Sequence, residues 1–170
     1  NLTVEAKDIQ IIGGDGGFTG LFASVVGEDS TGDGGELNIN TNTLQMHNRA
    51  RISAQSRGTG RAGNLDINAD SILLNNDTLL TASTRSNKVD HQGRQQATIN
   101  INSQYLILRR SSNIYATATG ENVAGDSINI NSDVIVALEN SDISANSANI
   151  RGGNNNIITI GVFGTQLKKQ

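Results

Sequence analysis

The chain of 170 residues carries a net charge of -3, contains no cysteine, and has only 3% aromatic residues. The lack of cysteine excludes a disulfide framework, and scattered Lys and Arg with few aromatic rings argue against a nucleic-acid-binding surface. No apolar run approaches the roughly 20 residues of a membrane-spanning helix, so no membrane span is predicted.

The opening residues alternate apolar and polar side chains, a period that is typical of β-strands with one buried face. The apolar positions are Leu2 and Val4, then Ile9 and Ile11, then Leu21 and Ala23. A glycine-rich insertion at residues 13–17 precedes the last pair, and a longer insertion follows at residues 24–36. The glycine cluster is predicted to form a turn, because the repeated nonapeptide of calcium-binding β-rolls is absent.

Four full copies of one pattern follow. They are GGELNINTNTLQM (34–46), AGNLDINADSILL (62–74), QATININSQYLIL (96–108) and AGDSININSDVIVAL (124–138). Their first apolar residues are Leu37, Leu65, Ile99 and Ile128, which lie 28, 34 and 29 residues apart. The largest spacing comes from a charged insertion at residues 85–96, which is predicted to form a loop. Repeats of this length indicate a solenoid, in which each copy stacks on the next.

The four copies agree at seven aligned positions, and six of these are apolar. After the first residue come the columns Ile39, Ile67, Ile101 and Ile130; Leu44, Ile72, Leu106 and Ile135; and Met46, Leu74, Leu108 and Ala137. A third segment adds Ile52, Leu80, Ile114 and Ile143, followed by Ala54, Ala82, Ala116 and Ala145. The sequence therefore predicts an all-β fold, a right-handed parallel β-helix of about six coils with three short strands in each.

The polar column consists of Asn40, Asn68, Asn102 and Asn131. Identical Asn side chains on stacked strands can hydrogen-bond along the stack, so an asparagine ladder with a structural role is predicted. A second polar column holds Asn38, Asp66, Asn100 and Asn129, with one carboxylate among its members. The alanine column has a structural interpretation too, because a small side chain fits where the third strand crowds the interior.

The last residues are predicted to begin another copy. Ile158 and Ile160 are taken to repeat the first strand, with Gly161 in the place of the column asparagine. The partial copies at both ends therefore extend the same stack.

Residues with catalytic or metal-binding chemistry are few and scattered. His47 and His91 fall in different copies, and neither has a Cys or carboxylate at the spacing of a metal site. Asp133, Glu139 and Asp142 lie in one copy, but on different strands or turns. The sequence therefore predicts no catalytic residues, no metal site and no cofactor.

Several phrases also carry a family resemblance. They are RISAQSRGTGRAGNLDINADSILL (51–74), IYATATGENVAGDSININSDVI (114–135), SDISANS (141–147) and ITIGVFGTQ (158–166). Together they resemble the repeat region of filamentous-haemagglutinin-like exoproteins of two-partner secretion. The resemblance implies a large secreted right-handed β-helix that leaves the cell through a partner outer-membrane transporter and acts in adhesion, biofilm formation or contact-dependent interaction.

The amino-terminal secretion domain of that family is not recognisable in this sequence. Residues 1–170 are therefore expected to form a single β-helix segment of a longer solenoid. A stack cut between copies exposes unpaired strand edges, so end-to-end self-association of the isolated segment is predicted. Sedimentation checks this prediction, and a monomer across a wide concentration range would contradict it.

The sequence and the resemblance together predict a structural or adhesive segment of a secreted or cell-surface exoprotein, with no enzymatic activity. Its partner would be a carbohydrate or a cell-surface protein, or it would act as a rigid spacer. The alternative is a carbohydrate-active β-helix of the polysaccharide lyase or hydrolase type. That alternative requires clustered carboxylates, which the aligned columns do not supply.

Overall fold

A computed structural model describes residues 1–17, 19–84, 97–119, 125–147 and 153–164. Over these ranges the protein is all-β and contains no helix. The strands form one sheet of eight and one sheet of five, and every strand pairing in both sheets is parallel.

Each copy of the sequence pattern contributes strands to both sheets, except that the last contributes to the larger sheet alone. The first copy forms β1 (Leu2–Glu5), β2 (Asp8–Ile12) and β3 (Gly20–Phe22). The four full copies form β4 (Leu37–His47) and β5 (Arg51–Ser53), β6 (Leu65–Asn75) and β7 (Leu79–Thr84), β8 (Thr98–Arg109) and β9 (Asn113–Ala118), and β10 (Ser127–Ala137) and β11 (Asp142–Ser147). The last copy forms β12 (Asn155–Ile158) and β13 (Gly161–Phe163).

The strands of both sheets follow the order of the chain. The larger sheet runs β1, β4, β6, β8, β10, β12, with β2 beside β4 and β13 beside β10. The smaller sheet runs β3, β5, β7, β9, β11. Successive copies therefore stack directly on one another, which is compatible with a parallel β-helix.

The register predicted for the four full copies is confirmed. Leu37 pairs with Leu65, Leu65 with Ile99, and Ile99 with Ile128. The apolar columns that follow these residues are aligned in the same way and form one continuous core between the sheets. The opening copy also pairs as predicted, since Leu2 lies beside Leu37 and Ile9 beside Leu44.

The prediction of three short strands per copy is wrong for the full copies. Their first and second segments form one continuous strand of 11 or 12 residues. Ile39 and Leu44 are both fully buried in β4 although they lie five residues apart. Residues at an odd spacing point to opposite faces of a flat strand, so the strand must bend between them. Alternation alone cannot distinguish one bent strand from two strands joined by a turn.

Hydroxyl groups stabilise this bend. Thr41 Oγ1 donates to the carbonyl of Thr43 and is 3.0 Å from the carbonyl oxygen of Lys7 in the preceding copy. Ser132 and Thr159 make the equivalent pair of contacts in their own copies. Each hydroxyl thus links the bend of its own copy to the backbone of the preceding copy, where the Lys7 and Asp133 carbonyls also accept backbone N–H groups.

Ala69 occupies the aligned bend position of the third copy and has no hydroxyl. Replacing Ala69 with Ser should therefore supply the missing contacts, to the carbonyls of Ser71 and Asn42. We expect the free energy of unfolding to rise by about 1 kcal/mol, the usual net value of a hydrogen bond. Chemical denaturation measures this change, with Ala69→Gly as the control that should destabilise the protein. A serine variant less stable than the wild type would contradict this account of the bend.

The turn after each long strand uses two consecutive residues with left-handed backbone conformation. These pairs are Asn48 and Arg49, Asn76 and Asp77, Arg110 and Ser111, and Glu139 and Asn140, with φ between 52° and 64°. Asn and Asp tolerate this conformation well. Arg and Glu do so less readily, and the repetition of the turn shows that the stack imposes it.

The register predicted for the last copy is wrong. Ile157, rather than Ile160, pairs with Ile130, and Val162 pairs with Ile135. Ile157 and Val162 lie five residues apart, as do the two inward residues on either side of the bend in every full copy. Because Ile157 and Val162 both have to face the core, this spacing fixes the register of the last copy. Ile158 then faces outward and is 61% exposed.

The insertions differ in how far the structure describes them. Gly14 and Gly17 form an antiparallel bridge that closes a tight turn in residues 13–17. Residues 24–36 lie along the next copy, where the Val25 N–H donates to the Gln55 carbonyl at 2.8 Å. The loop predicted at residues 85–96 lies outside the described residues.

Candidate functional site

An open groove of about 650 Å³ runs along the bend of the larger sheet. The same few positions of five successive copies line it, and nearly all of them are polar. The lining residues are Glu5, Ala6, Asn40, Thr41, Asn42, Asn68, Ala69, Asp70, Asn102, Ser103, Gln104, Asn131 and Asp133. The bend thus turns the outward residues on its two sides toward each other.

One wall of the groove is the asparagine ladder predicted from the sequence. Asn68 Nδ2 donates to Asn40 Oδ1 at 3.0 Å, and Asn102 Nδ2 donates to Asn68 Oδ1 at 2.9 Å. The hydrogen-bonded ladder predicted for this column is therefore present from Asn40 to Asn102. The side chains of these residues are nevertheless exposed, so the ladder also presents amide groups to solvent.

A second ladder lies beside the first on the same outward face. Asn100 Nδ2 donates to Asp66 Oδ1 at 2.6 Å, and Asn129 Nδ2 donates to Asn100 Oδ1 at 2.9 Å. These residues are half-buried. Together the two ladders form an array of amides with the spacing of neighbouring strands, about 4.8 Å.

The opposite wall of the groove was not predicted from the sequence. It is an outward column in which Asn42, Asp70, Gln104 and Asp133 follow one another from copy to copy. The column contains three residue types, Asn, Asp and Gln, so no single letter is repeated in every copy. The column can be recognised in the sequence only by its constant position, two residues after the ladder asparagine of each copy.

The groove has acidic rather than basic character. Three carboxylates line it, those of Glu5, Asp70 and Asp133, and no Lys or Arg is among the described lining residues. Lys7 continues the outer column at one end, where it aligns with Asn42. Electrostatics therefore disfavour anionic ligands in this groove.

A second unusual feature is the buried carboxyl group of Asp126. The residue is fully buried, and neither Oδ atom has a hydrogen-bond partner of ordinary geometry among the described residues. Burial raises the pKa of this carboxyl from 3.8 to about 7, and nearby backbone groups of Ala97 and Thr84 offset the shift only in part. Asp126 occupies a column of small residues, since Ala97 and Gly153 align with it.

The other residues considered for chemistry do not come together. His47 Nδ1 lies 3.4 Å from Asn75 Nδ2, while His91 lies outside the described residues. Glu139 forms an exposed ion pair with Arg109 at 2.7 Å, which lowers the pKa of the Glu139 carboxyl. Asp133 lines the groove, and Asp142 begins β11.

Within the described ranges, no three side chains of His, Cys, Asp or Glu are grouped as a metal site would require. None of the described residues forms a helix of the length and hydropathy needed to cross a membrane.

Comparison with known proteins found no matching family model, no matching curated protein and no matching solved structure.

Proposed function

We propose that this chain is a segment of a right-handed parallel β-helix that serves a structural and adhesive role in a secreted or cell-surface exoprotein. The observation that carries the proposal is the unbroken parallel register of the long strands, with a polar groove running along five copies. A rigid stack of this kind keeps surface groups at fixed spacing over its whole length. Such an array suits attachment to a repetitive partner, above all a carbohydrate.

The handedness of the β-helix and the extracellular location of the protein each have separate support. Parallel strands in one sheet are joined by right-handed connections in nearly all proteins, which favours a right-handed helix. The resemblance to filamentous-haemagglutinin-like exoproteins supports the extracellular location and export of the parent protein through a partner outer-membrane transporter. We also propose that the segment is not an enzyme.

One observation keeps the carbohydrate-active alternative open. Asp70 and Asp133 lie on the same wall of the groove, separated by the copy that contains Gln104. Two strand spacings place their backbones about 9.6 Å apart. Carboxyl pairs of inverting glycosidases lie about 6.5 to 9.5 Å apart, so this pair falls at the limit of the catalytic range.

The proposal is tested by measuring binding of the purified segment to a panel of immobilised glycans, with and without calcium, and by analysing the bound glycans for cleavage. We expect saturable binding without cleavage. Cleavage that disappears in the Asp70→Asn or Asp133→Asn variant would establish the alternative. A segment that binds no glycan would have no adhesive role of this kind and would serve as a spacer.

A further inference from the structure

We propose that the groove at the bend binds an extended, uncharged polysaccharide whose chain lies parallel to the stack. This inference rests on the proposed adhesive function and names its ligand class and its site. It follows from the hydrogen-bonding capacity of the ladder, the spacing of the copies and the charge of the groove.

The ladder leaves half of its hydrogen-bonding capacity unused. An asparagine amide has two N–H donors and an oxygen with two lone pairs. Asn68 uses one donor toward Asn40 and one lone pair toward Asn102. Each such amide therefore keeps one donor and one acceptor for the solvent side. A sugar hydroxyl both donates and accepts a hydrogen bond, so it matches a row of such amides better than a purely anionic or cationic ligand does.

The spacing of the copies matches a linear glycan. Neighbouring strands lie about 4.8 Å apart, and each sugar of an extended β-1,4-linked glucan advances its chain by nearly the same distance. A glycan parallel to the stack would therefore place one sugar on each copy. The groove extends over five copies, from Glu5 to Asp133, so it spans four strand spacings, about 19 Å, and accommodates about five sugars.

The charge of the lining selects against acidic glycans. Asp70 and Asp133 stand on the wall opposite the ladder, and Glu5 stands at one end. A sulfated or uronic-acid chain in the groove would lie close to these carboxylates, and repulsion between like charges would weaken its binding. An uncharged chain meets no such repulsion.

The test is a calorimetric titration of the full 170-residue segment with cello-oligosaccharides of two to six sugars. We expect affinity to rise with each added sugar up to about five and then to level off, because further sugars extend beyond the groove. A heparin-derived hexasaccharide serves as the anionic comparison and should bind more weakly. In the Asp70→Asn/Asp133→Asn double variant the affinity for the heparin fragment should rise relative to the affinity for cellohexaose.

Two variants test whether the groove is the binding site. Gln104→Met keeps the length of an exposed side chain in the groove but removes its amide, and Asn102→Leu removes one rung of the ladder. Each should weaken cellohexaose binding roughly fivefold to tenfold, the loss expected for one hydrogen bond. The matched control is Gln45→Met, an exposed glutamine on β4 outside the groove, which should change the affinity by less than about twofold. Thermal unfolding confirms that each variant is folded.

The outcomes separate this inference from the proposed function. If the wild-type segment binds glycans and neither Gln104→Met nor Asn102→Leu weakens that binding, the ligand binds elsewhere. That result would overturn the groove as the binding site and leave the proposed adhesive function standing. Tighter binding of the heparin fragment than of cellohexaose would overturn the ligand class alone. A wild-type segment that binds none of the glycans would overturn both proposals.

Discussion

Replacing Ile101 with Asp should lower the free energy of unfolding by roughly 3 to 5 kcal/mol, enough to unfold a domain of ordinary stability. Ile101 is 1% exposed and lies between Ile67 and Ile130 in the apolar column of the larger sheet. A carboxylate at this position would be buried without a partner. The effect should spread beyond one copy, because the neighbouring copies bury their own side chains against this one.

Chemical denaturation of a graded series measures the effect. Ile101→Val should cost about 1 kcal/mol and Ile101→Ala about 2 to 5 kcal/mol, in line with the volume removed from a packed core. Gln45→Glu introduces a carboxylate at an exposed position of the same sheet, beside Gln10 and Leu73, and should stay within about 0.5 kcal/mol of the wild type. An aspartate variant as stable and protease-resistant as the wild type would show that the assigned register is wrong.

The stability of the protein should also fall as the pH rises from 4 to above 7, and the Asp126 carboxyl should account for a large part of the loss. The pKa of this group is raised from 3.8 to about 7 by burial. Between these values the folded protein keeps a proton that the unfolded chain has released. Stability therefore decreases with rising pH, by about 1.4 kcal/mol per pH unit, and the total loss approaches roughly 4 kcal/mol above pH 7.

Asp126→Ala isolates this contribution, because Ala97 already occupies the aligned position of the preceding copy. We expect the variant to be more stable than the wild type at pH 8 and to lose most of the difference below pH 4. Asp133→Ala removes an exposed carboxylate from β10, the strand that follows Asp126, and serves as the control. Parallel profiles for the wild type and Asp126→Ala between pH 4 and 8 would contradict the assignment.

Much of the strand register was predictable because burial constrains it. A slip of one residue in a full copy would turn Ile39 or Ile67 out of the core and expose the whole apolar face. The last copy is less constrained, because its stretch of asparagines and isoleucines fits more than one alignment. There the spacing between Ile157 and Val162 across the bend decided the register, and the bend itself was not visible in the alternation.

Only one wall of the candidate site, the asparagine ladder, could be predicted from the sequence. Repeated asparagines identified the ladder, and hydrogen bonds join its members from Asn40 to Asn102. The groove depends on the angle between the two halves of each long strand, which brings Gln104 and Asp70 opposite the ladder. Hydroxyl contacts of Thr41 and Ser132 with backbone carbonyls stabilise that angle. Such contacts depend on three-dimensional geometry that the order of residues does not reveal.

The buried Asp126 shows a similar limit. In the sequence it is one acidic residue in an AGD phrase, next to a serine and a strand. Its position follows only from the stack, where it aligns with Ala97 below and Gly153 above. Burial then changes its protonation, so the physical consequence depends on neighbours that are distant in the chain.

The most direct test of the whole account is cysteine cross-linking in the wild-type background, which contains no cysteine. Asn40 and Asn68 are exposed partners on adjacent strands, and parallel neighbours lie about 4.8 Å apart, within the range that a disulfide can bridge. The Asn40→Cys/Asn68→Cys variant should therefore form an intramolecular disulfide on oxidation. The Asn40→Cys/Asn102→Cys variant, whose cysteines lie two copies apart, should not. Efficient cross-linking of the second pair and not the first would contradict the stacked, in-register copies on which the proposed groove and function depend.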